Sequence, residues 1–362
     1  MKKILFDNQM FTLQRFGGVT RYFADLIHNM PAGEFVPEIP MRYCENHYMT
    51  ETYGQKYKSI KFPGNYRLRR QLYIIANKQV SWKAIKFGDY DIFHPTYFNP
   101  YFLKTVKKRQ KPFVLTVHDM TFERYPQDVL IYDRTIPHKK RLIAEADHII
   151  AVSENTKRDI VELLGTDPSK ISVVHHGYRS VAEPAPRLFD RYVLYVGERK
   201  GYKNFLPWLS AIRPIFNLDS NLKVVCTGTP FSSAEIKLFK KWNIDGRLVH
   251  ISANDAQMAS LYRHALCFVF PSHYEGFGIP ILEAFANGCP VCLSNASCFP
   301  EVAGDAAMFF NPNDAQSMHD TLKEIIASEA LRDELRGKGT LRSREFSIER
   351  MVGQTCDVYR KL

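Results

Sequence analysis

Short apolar runs alternate with longer stretches of helical periodicity along the chain. In the first half, the pattern predicts strands at 3–6, 91–94, 113–117, 149–152 and 171–174, with helices at 20–30, 134–146 and 155–164. The alternation starts again after residue 191, with strands at 192–196, 222–226, 248–251 and 266–270 and helices at 204–216, 233–242, 255–264 and 280–287. Such alternation is typical of α/β domains with parallel sheets.

A proline-containing stretch without periodicity, residues 179–191, separates the two runs and is the best candidate for a linker. The 362 residues suit two domains of similar size. We therefore predict an N-terminal domain over 1–180 and a C-terminal domain over 181–345. A ligand is expected in the cleft between two such halves.

Composition narrows the class of protein. Apolar residues make up 45% and charged residues 24%, which argues against a wholly disordered, collagen-like or coiled-coil chain. The sequence has no long apolar run, and the first seven residues are too short for a signal peptide, so we expect a cytoplasmic protein. The seven cysteines, an odd number, indicate buried thiols. Cys289 and Cys292 also fit a zinc or redox pair, but no second pair completes such a site.

Positive charge is concentrated in residues 55–111, which we call the basic window. It holds 14 basic and two acidic residues, a net charge of +12 in a chain whose total is +11. Its partner should be anionic, namely a phospholipid surface, a lipid diphosphate or nucleic acid, unless the charges serve only solubility. Six of its residues are our candidates for contact with an acceptor or a membrane: Arg67, Arg69, Arg70, Lys107, Lys108 and Arg109.

The richest candidate chemistry follows the predicted strand at 266–270. Glu275 precedes a loop with two glycines, and Glu283 lies in the predicted first turn of the next helix. A strand, a glycine-bearing loop and a helix N-terminus form a corner that favours anions, where carboxylates suit the hydroxyl groups of a sugar. For Glu283 alone, stabilisation by the helix macrodipole is an equally simple explanation.

Glu275 and Glu283, with Gly-Phe-Gly-Ile-Pro between them, resemble the donor-site motif of family 4 glycosyltransferases. Further segments agree in the same order along the chain: Gly17-Gly18, Thr116–Asp119, Ala151–Glu154, Tyr195–Asn204 and Gly228. The resemblance implies retaining enzymes of the GT-B fold, an α/β architecture with two Rossmann-like domains that face a cleft. It also implies an acceptor-side N-terminal domain, a donor-binding C-terminal domain and a last helix, 346–362, that packs back on the first domain.

The resemblance assigns roles that the residue types allow. Arg199 and Lys203 would bind the diphosphate of the donor and stabilise its charge as it leaves, since cations at a helix start are otherwise disfavoured. His118 would contact the transferred sugar, Glu275 its hydroxyl groups, and Glu283 the ribose. The other residues expected to contact the donor are Gly17, Gly18, Gly197, Gly228, Gly276, Phe277, Gly278 and Ile279.

The candidate metal-binding motif is Asp89-Tyr90-Asp91, which has the form of a DxD motif. The residues after it are predicted to form a strand, so we favour a structural role and expect neither a metal nor another cofactor. His94 and the aromatic residues Tyr97, Phe98 and Tyr101 are candidates for an acceptor pocket, with core packing as the alternative.

The sequence therefore predicts a retaining glycosyltransferase that is peripheral to the cytoplasmic face of the inner membrane. It would transfer a hexose from a nucleotide-diphosphate sugar, GDP-mannose or a sugar derived from it, to a lipid-diphosphate-linked glycan of a bacterial surface polysaccharide. The alternatives are a UDP-hexose donor, a sugar-nucleotide epimerase, and a polyanion-binding protein. Nucleic acid is not an expected partner, because Arg199, Lys203, Glu275 and Glu283 lie outside the basic window.

Overall fold

The computed structural model describes residues 1–54, 66–128, 134–178 and 183–362. They form two compact units: unit 1 comprises Met1–Gly177 and Ile348–Leu362, and unit 2 comprises Tyr178–Ser347. The sequence-based prediction places the divisions between domains after residues 180 and 345. Lys56, Lys58 and Lys61 of the basic window and residues 179–182 of the predicted linker lie outside the described residues.

Unit 1 is built on parallel strands. The strands are β1 (Lys2–Phe6), β2 (Phe35–Glu38), β3 (Ile92–His94), β4 (Val114–Val117), β5 (His148–Ala151) and β6 (Ile171–Val173). β1 pairs with β2 and β3, and β5 pairs with β4 and β6, all in parallel. An isolated parallel bridge between Phe93 and Phe113 joins β3 to the start of β4. Strands covered on both faces require continuous apolar runs, which is the pattern that the sequence shows.

Among the described residues, seven α-helices precede the last strand of this unit or connect its strands. They are α1 (Gln9–Leu13), α2 (Gly18–His28), α3 (Tyr66–Phe87), α4 (Leu103–Lys108), α5 (Thr121–Arg124), α6 (Thr135–Glu145) and α7 (Glu154–Leu164). α3 is a 22-residue helix inside the basic window that the apolar pattern did not predict.

Unit 2 repeats the alternation around one parallel sheet. Its strands are β7 (Tyr192–Tyr195), β8 (Lys223–Cys226), β9 (Leu248–His250), β10 (Cys267–Phe270), β11 (Val291–Ser294) and β12 (Met308–Phe310), in the order β12-β11-β10-β7-β8-β9. Its helices are α8 (Phe205–Ile212), α9 (Ile215–Leu218), α10 (Ser233–Lys241), α11 (Asp255–His264), α12 (Ile279–Ala286), α13 (Phe299–Ala303), α14 (Ala315–Ala327) and α15 (Glu329–Ser343). The single helix predicted over 204–216 is divided at Pro214, which starts α9.

The last helix, α16 (Ile348–Lys361), belongs to unit 1. Met351, Val352 and Tyr359 join the same buried cluster as residues of β1 and α2. Lys2 Nζ donates to the Tyr359 carbonyl at 3.0 Å, and Arg360 pairs with Glu34 at 2.5 Å. The prediction that the last helix packs on the first domain is confirmed.

All seven cysteines are buried free thiols, as predicted. Burial raises the pKa of Cys289 to about 12 and raises that of Cys292 further, which disfavours the reactive thiolate form. No helix within the described ranges is both long and apolar enough to cross a bilayer.

A buried histidine cluster makes unit 1 sensitive to acid. His94 is fully buried, with Nδ1 2.6 Å from the Tyr359 hydroxyl and Nε2 2.9 Å from Thr116 Oγ1. Burial lowers its pKa to about 3, and it lowers the pKa of His118 to about 3 and that of His176 well below 6.5. These rings are therefore neutral in the folded chain.

We expect the free energy of unfolding to fall as the pH drops from 7 to 5. The unfolded chain binds protons at these histidines near pH 6.5, whereas the folded chain resists them until about pH 3, so stability is lost on acidification. The slope is at most about 1.4 kcal/mol per pH unit for each such histidine. Urea denaturation at pH 7, 6 and 5 measures this slope. His94→Gln removes one of the histidines and should lower the slope by up to about 1.4 kcal/mol per pH unit. Equal unfolding free energies at pH 7 and 5 would contradict the assignment.

Candidate active site

The predicted donor residues of unit 2 gather at the carboxyl ends of two adjacent strands. β7 lies between β8, which follows it in sequence, and β10, which comes later, so the connections after β7 and β10 run to opposite sides of the sheet. Ligands of open α/β sheets bind at such a switch point. Gly197, Arg199 and Lys203 follow β7, and Glu275 and Gly278 follow β10.

Glycines bring the backbone of neighbouring loops together here. Gly197 has a φ of +114° and Gly228 a φ of +97°, a region that side chains rarely allow. A Cβ atom at Gly228 would lie 2.7 Å from the Gly197 carbonyl oxygen, so the loops after β7 and β8 meet backbone to backbone. Gly278, with a φ of +88°, precedes the first residue of α12, Ile279.

An ion pair links the two loops at the switch point. Lys203 Nζ donates to Glu275 Oε1 at 2.7 Å, and only 17% and 14% of the two side chains are exposed. Burial lowers the pKa of Lys203, but the Glu275 carboxylate outweighs it, so the net pKa is raised and the ammonium is retained. One of its three N–H donors contacts Glu275, and the Tyr202 side chain also favours the charged form of Lys203.

Ser297 fixes the backbone of Glu275. Its hydroxyl accepts from the Glu275 N–H at 3.1 Å and donates to the Glu275 carbonyl at 2.6 Å. The His273 N–H also donates to the Tyr202 carbonyl at 2.8 Å, which ties the loop after β10 to the loop after β7. The position of the Glu275 carboxylate is therefore set by both loops and by Ser297.

Arg199 contacts a different carboxylate. Its Nε donates to Glu235 Oε1 at 2.7 Å and its Nη2 to the Pro230 carbonyl at 3.0 Å, and only 3% of the side chain is exposed. Nη1 is buried and has no hydrogen-bond partner among the described residues. Sequence reasoning missed Glu235, because its visible signal, Ser232-x-x-Glu235, is a capping box for α10 and does not point to Arg199.

Glu283 lies in the second turn of α12, and its predicted place in the first turn is wrong. The helix begins at Ile279, one residue before the predicted start at Pro280, and its first turn contains no acidic residue. Stabilisation by the macrodipole therefore does not explain Glu283. Its Oε2 accepts from the buried Tyr262 hydroxyl of α11 at 2.9 Å, a partner that the sequence did not reveal.

In unit 1, His118 directly follows β4 and has two unsatisfied polar atoms. Both ring nitrogens are buried, and in the part of the chain that the structure describes they have no hydrogen-bond partner. The ring stacks on His176 with centroids 5.4 Å apart and meets Tyr22 edge-on at 5.1 Å. A neutral imidazole offers one donor and one acceptor, so this ring is equipped for a polar ligand. His176, which packs on it, was not predicted.

α2 begins at Gly18, two residues before the predicted start of this helix at residue 20. Gly17 is the N-cap residue and Gly18 the first helical residue. A Cβ atom at Gly17 would lie 2.2 Å from Gln14 Oε1, so a side chain at this position would have to displace Gln14. The helix N-terminus presents backbone N–H groups of the kind that bind phosphate.

The two aspartates of the DxD-like triplet have structural contacts. Asp89 pairs with Lys3 Nζ at 2.7 Å, and Asp91 accepts from the Lys3 backbone N–H at 2.8 Å. Within the described ranges, no three His, Cys, Asp or Glu side chains are grouped so as to hold a metal ion. His94 of the proposed acceptor pocket is a fully buried core residue.

Several candidates from the basic window have partners inside the protein. Arg69 donates to Glu45 at 3.0 Å, and Arg109 donates to the Ile85 and Gly88 carbonyls at the end of α3, at 3.0 and 2.7 Å. Lys107 pairs with Glu145, Arg70 is partly buried and Lys108 is exposed. Arg67 lies in α3, and its side chain is outside the described part of the structure.

Comparison with known proteins assigns the class. Residues 16–179 match the family model described as Glycosyltransferase Family 4, and residues 182–342 match Glycosyl transferases group 1. The structure is similar to sucrose-phosphate synthase from Thermosynechococcus elongatus (TM-score 0.75, 17% identity, 100% of this chain and 99% of that one). It is equally similar to HepE of Anabaena solved with UDP and glucose (TM-score 0.75, 14% identity, 100% of both chains).

The chain belongs to the glycosyltransferases of the GT-B fold, with a family 4 domain followed by a group 1 domain. Among its relatives, the O-antigen chain mannosyltransferase B of Escherichia coli is 25% identical over 377 residues, which is 95% of this chain and 96% of that protein. The O-antigen chain mannosyltransferase RfbU of Salmonella typhimurium is 28% identical over 216 residues, 58% of this chain and 60% of that protein. The predicted family and fold are confirmed.

Proposed function

We propose that the protein is a retaining mannosyltransferase of surface-polysaccharide synthesis. It transfers mannose, or a hexose derived from it, from a GDP-linked donor to a lipid-diphosphate-linked glycan at the cytoplasmic face of the inner membrane. The similarity to O-antigen mannosyltransferases along 95% of the chain supports the sugar and the pathway. The observation that carries the donor site is the Lys203–Glu275 pair at the switch point of the unit 2 sheet.

The residues of unit 2 suit the two ends of such a donor. The Lys203 ammonium and Nη1 of Arg199 would bind the diphosphate, with Gly197 and Gly228 allowing the backbone close to it. Glu275 would accept from hydroxyls of the sugar, and Glu283, held by Tyr262, would accept from the ribose.

In the reaction, the bond between the anomeric carbon and the diphosphate breaks. The acceptor oxygen forms its bond on the same face of the sugar, and its proton passes to the departing diphosphate oxygen. The negative charge that develops on the leaving diphosphate would be stabilised by the Lys203 and Arg199 cations, which are already in place. Within unit 1, taken by itself, the His118 ring nitrogens suit a sugar hydroxyl, and the N-terminus of α2 at Gly18 has N–H groups that suit a phosphate.

A UDP-hexose donor is the second candidate. HepE, whose structure is similar to this one over its full length, was solved with UDP and glucose. A panel of GDP- and UDP-linked hexoses, incubated with a lipid-linked acceptor and followed by mass spectrometry of the products, separates the two. We expect turnover of GDP-mannose, with a product that NMR shows to be α-linked. Turnover of UDP-sugars alone would overturn the choice of donor. A β-linked product from GDP-mannose would overturn the retaining mechanism.

Transfer should continue in the presence of EDTA. Asp89 and Asp91 contact Lys3, and fixed cations stand near the proposed diphosphate site, so a divalent ion has no required part in this mechanism. Initial rates should be unchanged, within about twofold, after EDTA treatment and dialysis. Loss of activity that manganese restores would instead assign catalysis to a metal.

A further inference from the structure

The solvent-facing side of α3 is unusually apolar. Leu68, Leu72, Ile75, Trp82 and Phe87 are exposed by 53, 38, 60, 37 and 71%. Leu68, Leu72, Ile75 and Trp82 lie at helical spacings on one stripe, and Phe87 follows at its end. The other exposed side chains described for this helix are Lys78, Lys83, Lys86, Gln71 and Gln79. The stripe therefore combines large apolar residues, lysines and glutamines, and it contains no acidic residue.

The opposite side of the same helix is buried and includes polar side chains besides Tyr73 and Ile85. Asn77 is fully buried, and its amide accepts from the Arg42 and Tyr43 N–H groups and donates to Thr12 Oγ1 and the Tyr43 carbonyl. Ser81, also fully buried, donates to the Pro40 carbonyl at 2.9 Å. These hydrogen bonds fix the rotation of the helix, because turning the apolar stripe inward would leave buried polar groups without partners. The apolar stripe is thus held outward by the fold.

The charges around the stripe select the partner. Lys86 Nζ lies 4.8 Å from the ring centroids of both Trp82 and Phe87, so cation and aromatic groups share one surface. Lys104 and Lys108 of α4, which packs beside α3, are exposed as well. Apolar and aromatic residues flanked by lysines are the pattern of helices that lie in the interface of an anionic bilayer, where the long lysine stems let their ammonium groups reach the headgroups.

We propose that α3 inserts its apolar stripe into the interfacial layer of an anionic bilayer, with Leu72, Ile75 and Trp82 at acyl-chain depth and Lys78, Lys83 and Lys86 at the headgroups. The inference rests on the proposed function in one respect: insertion would bring the enzyme to a lipid-linked acceptor. It differs from attraction by the basic window, because burial of the stripe is apolar and resists salt.

Vesicles of phosphatidylcholine with 30% phosphatidylglycerol test the insertion. Fluorescence of the full chain should shift to the blue on binding and be quenched by brominated acyl chains. Trp82→Phe should remove both signals, since Trp208 is buried and Trp242 is half-buried in unit 2. Leu72→Ser/Ile75→Ser should weaken binding by about tenfold or more and remove the binding that remains in 1 M salt. The matched control is Leu218→Ser/Leu341→Ser, at positions 70 and 62% exposed in unit 2, which should bind vesicles as the parent does.

The outcomes distinguish the inference from the proposed function. Vesicle binding needs no sugar donor. Insertion can therefore be observed even if the proposed donor is wrong, and the proposed donor can be correct even if α3 does not insert. Equal binding by Leu72→Ser/Ile75→Ser and the parent, or a Trp82 that bromine does not quench, would overturn the insertion. So would sedimentation that shows a dimer of the parent and a monomer of Leu72→Ser/Ile75→Ser, because the stripe would then join two copies of the chain.

Discussion

Replacing Lys203 with alanine will lower kcat/KM by about 30- to 1,000-fold, equivalent to about 2–4 kcal/mol of transition-state stabilisation, the range for losing one preorganised charged donor. Lys203 is the cation at the switch point of the unit 2 sheet, and only 17% of its side chain is exposed. Burial strengthens its interaction with a leaving diphosphate relative to a lysine in solvent. Steady-state kinetics with the physiological donor, combined with nucleoside-diphosphate affinity by calorimetry, measure the loss.

A matched control lies in the same loop. Lys200 is exposed, so Lys200→Ala should change kcat/KM by less than about threefold. The variant Lys203→Ala also leaves Glu275 without its partner, and the double variant Lys203→Ala/Glu275→Ala separates the two effects. If Lys203 only positions Glu275, the double variant will be no worse than Glu275→Ala, and nucleoside-diphosphate affinity will not depend on Lys203. That result would contradict the diphosphate role.

Arg199→Ala is expected to fall in the same range, because its unpartnered Nη1 is the donor available to a phosphate. Its other nitrogens hold Glu235 and the Pro230 carbonyl, so this variant will also be less stable than the parent. Activity is therefore compared at a temperature where circular dichroism shows both proteins folded.

Glu275→Ala should mainly lower kcat, whereas Glu283→Ala should mainly raise the dissociation constant of the donor. Glu275 is proposed to contact the sugar that changes during the reaction, and Glu283 the ribose, whose contacts are the same in the bound ground state and the transition state. Single-turnover kinetics separate the two quantities. Equal, small effects of both substitutions on kcat/KM would show that the two carboxylates are structural.

Tyr262→Phe provides an internal check on the Glu283 assignment. It removes the hydroxyl that donates to Glu283 Oε2 at 2.9 Å and leaves the carboxylate in place. Donor affinity should fall by roughly the value of one hydrogen bond, about 1 kcal/mol or fivefold, with kcat nearly unchanged. Glu198→Ala, at an exposed residue of the loop after β7, is the control.

The strands and the loop motifs could be predicted because their signals are local. Buried parallel strands such as Val114–Val117 are continuous apolar runs, and the residues that follow them are the site candidates. α3 could not be found in this way, because it has apolar residues on both faces: it buries Ile85 beside Asn77 and Ser81 and exposes Leu72 and Ile75.

Contacts between residues of different loops could not be predicted from the sequence for a different reason. The pairs Arg199–Glu235 and Tyr262–Glu283 join residues 36 and 21 positions apart, and no spacing rule connects such residues. The turn of α12 that holds Glu283 was misplaced because it depends on where the helix begins, and Gly278 and Pro280 allowed more than one start. The sequence thus predicted which loops carry the candidate residues, whereas the contacts between those residues are seen only in the structure.

Because α16 completes the core of unit 1, unit 2 is in effect an insertion within unit 1. During synthesis, residues 1–177 leave the ribosome long before residues 348–362, and the apolar side chains that Met351, Val352 and Tyr359 cover stay open while all of unit 2 is made. Unit 2 can therefore finish folding before unit 1, although it begins later in the chain. A fragment that stops after residue 177 would expose that part of the core to aggregation.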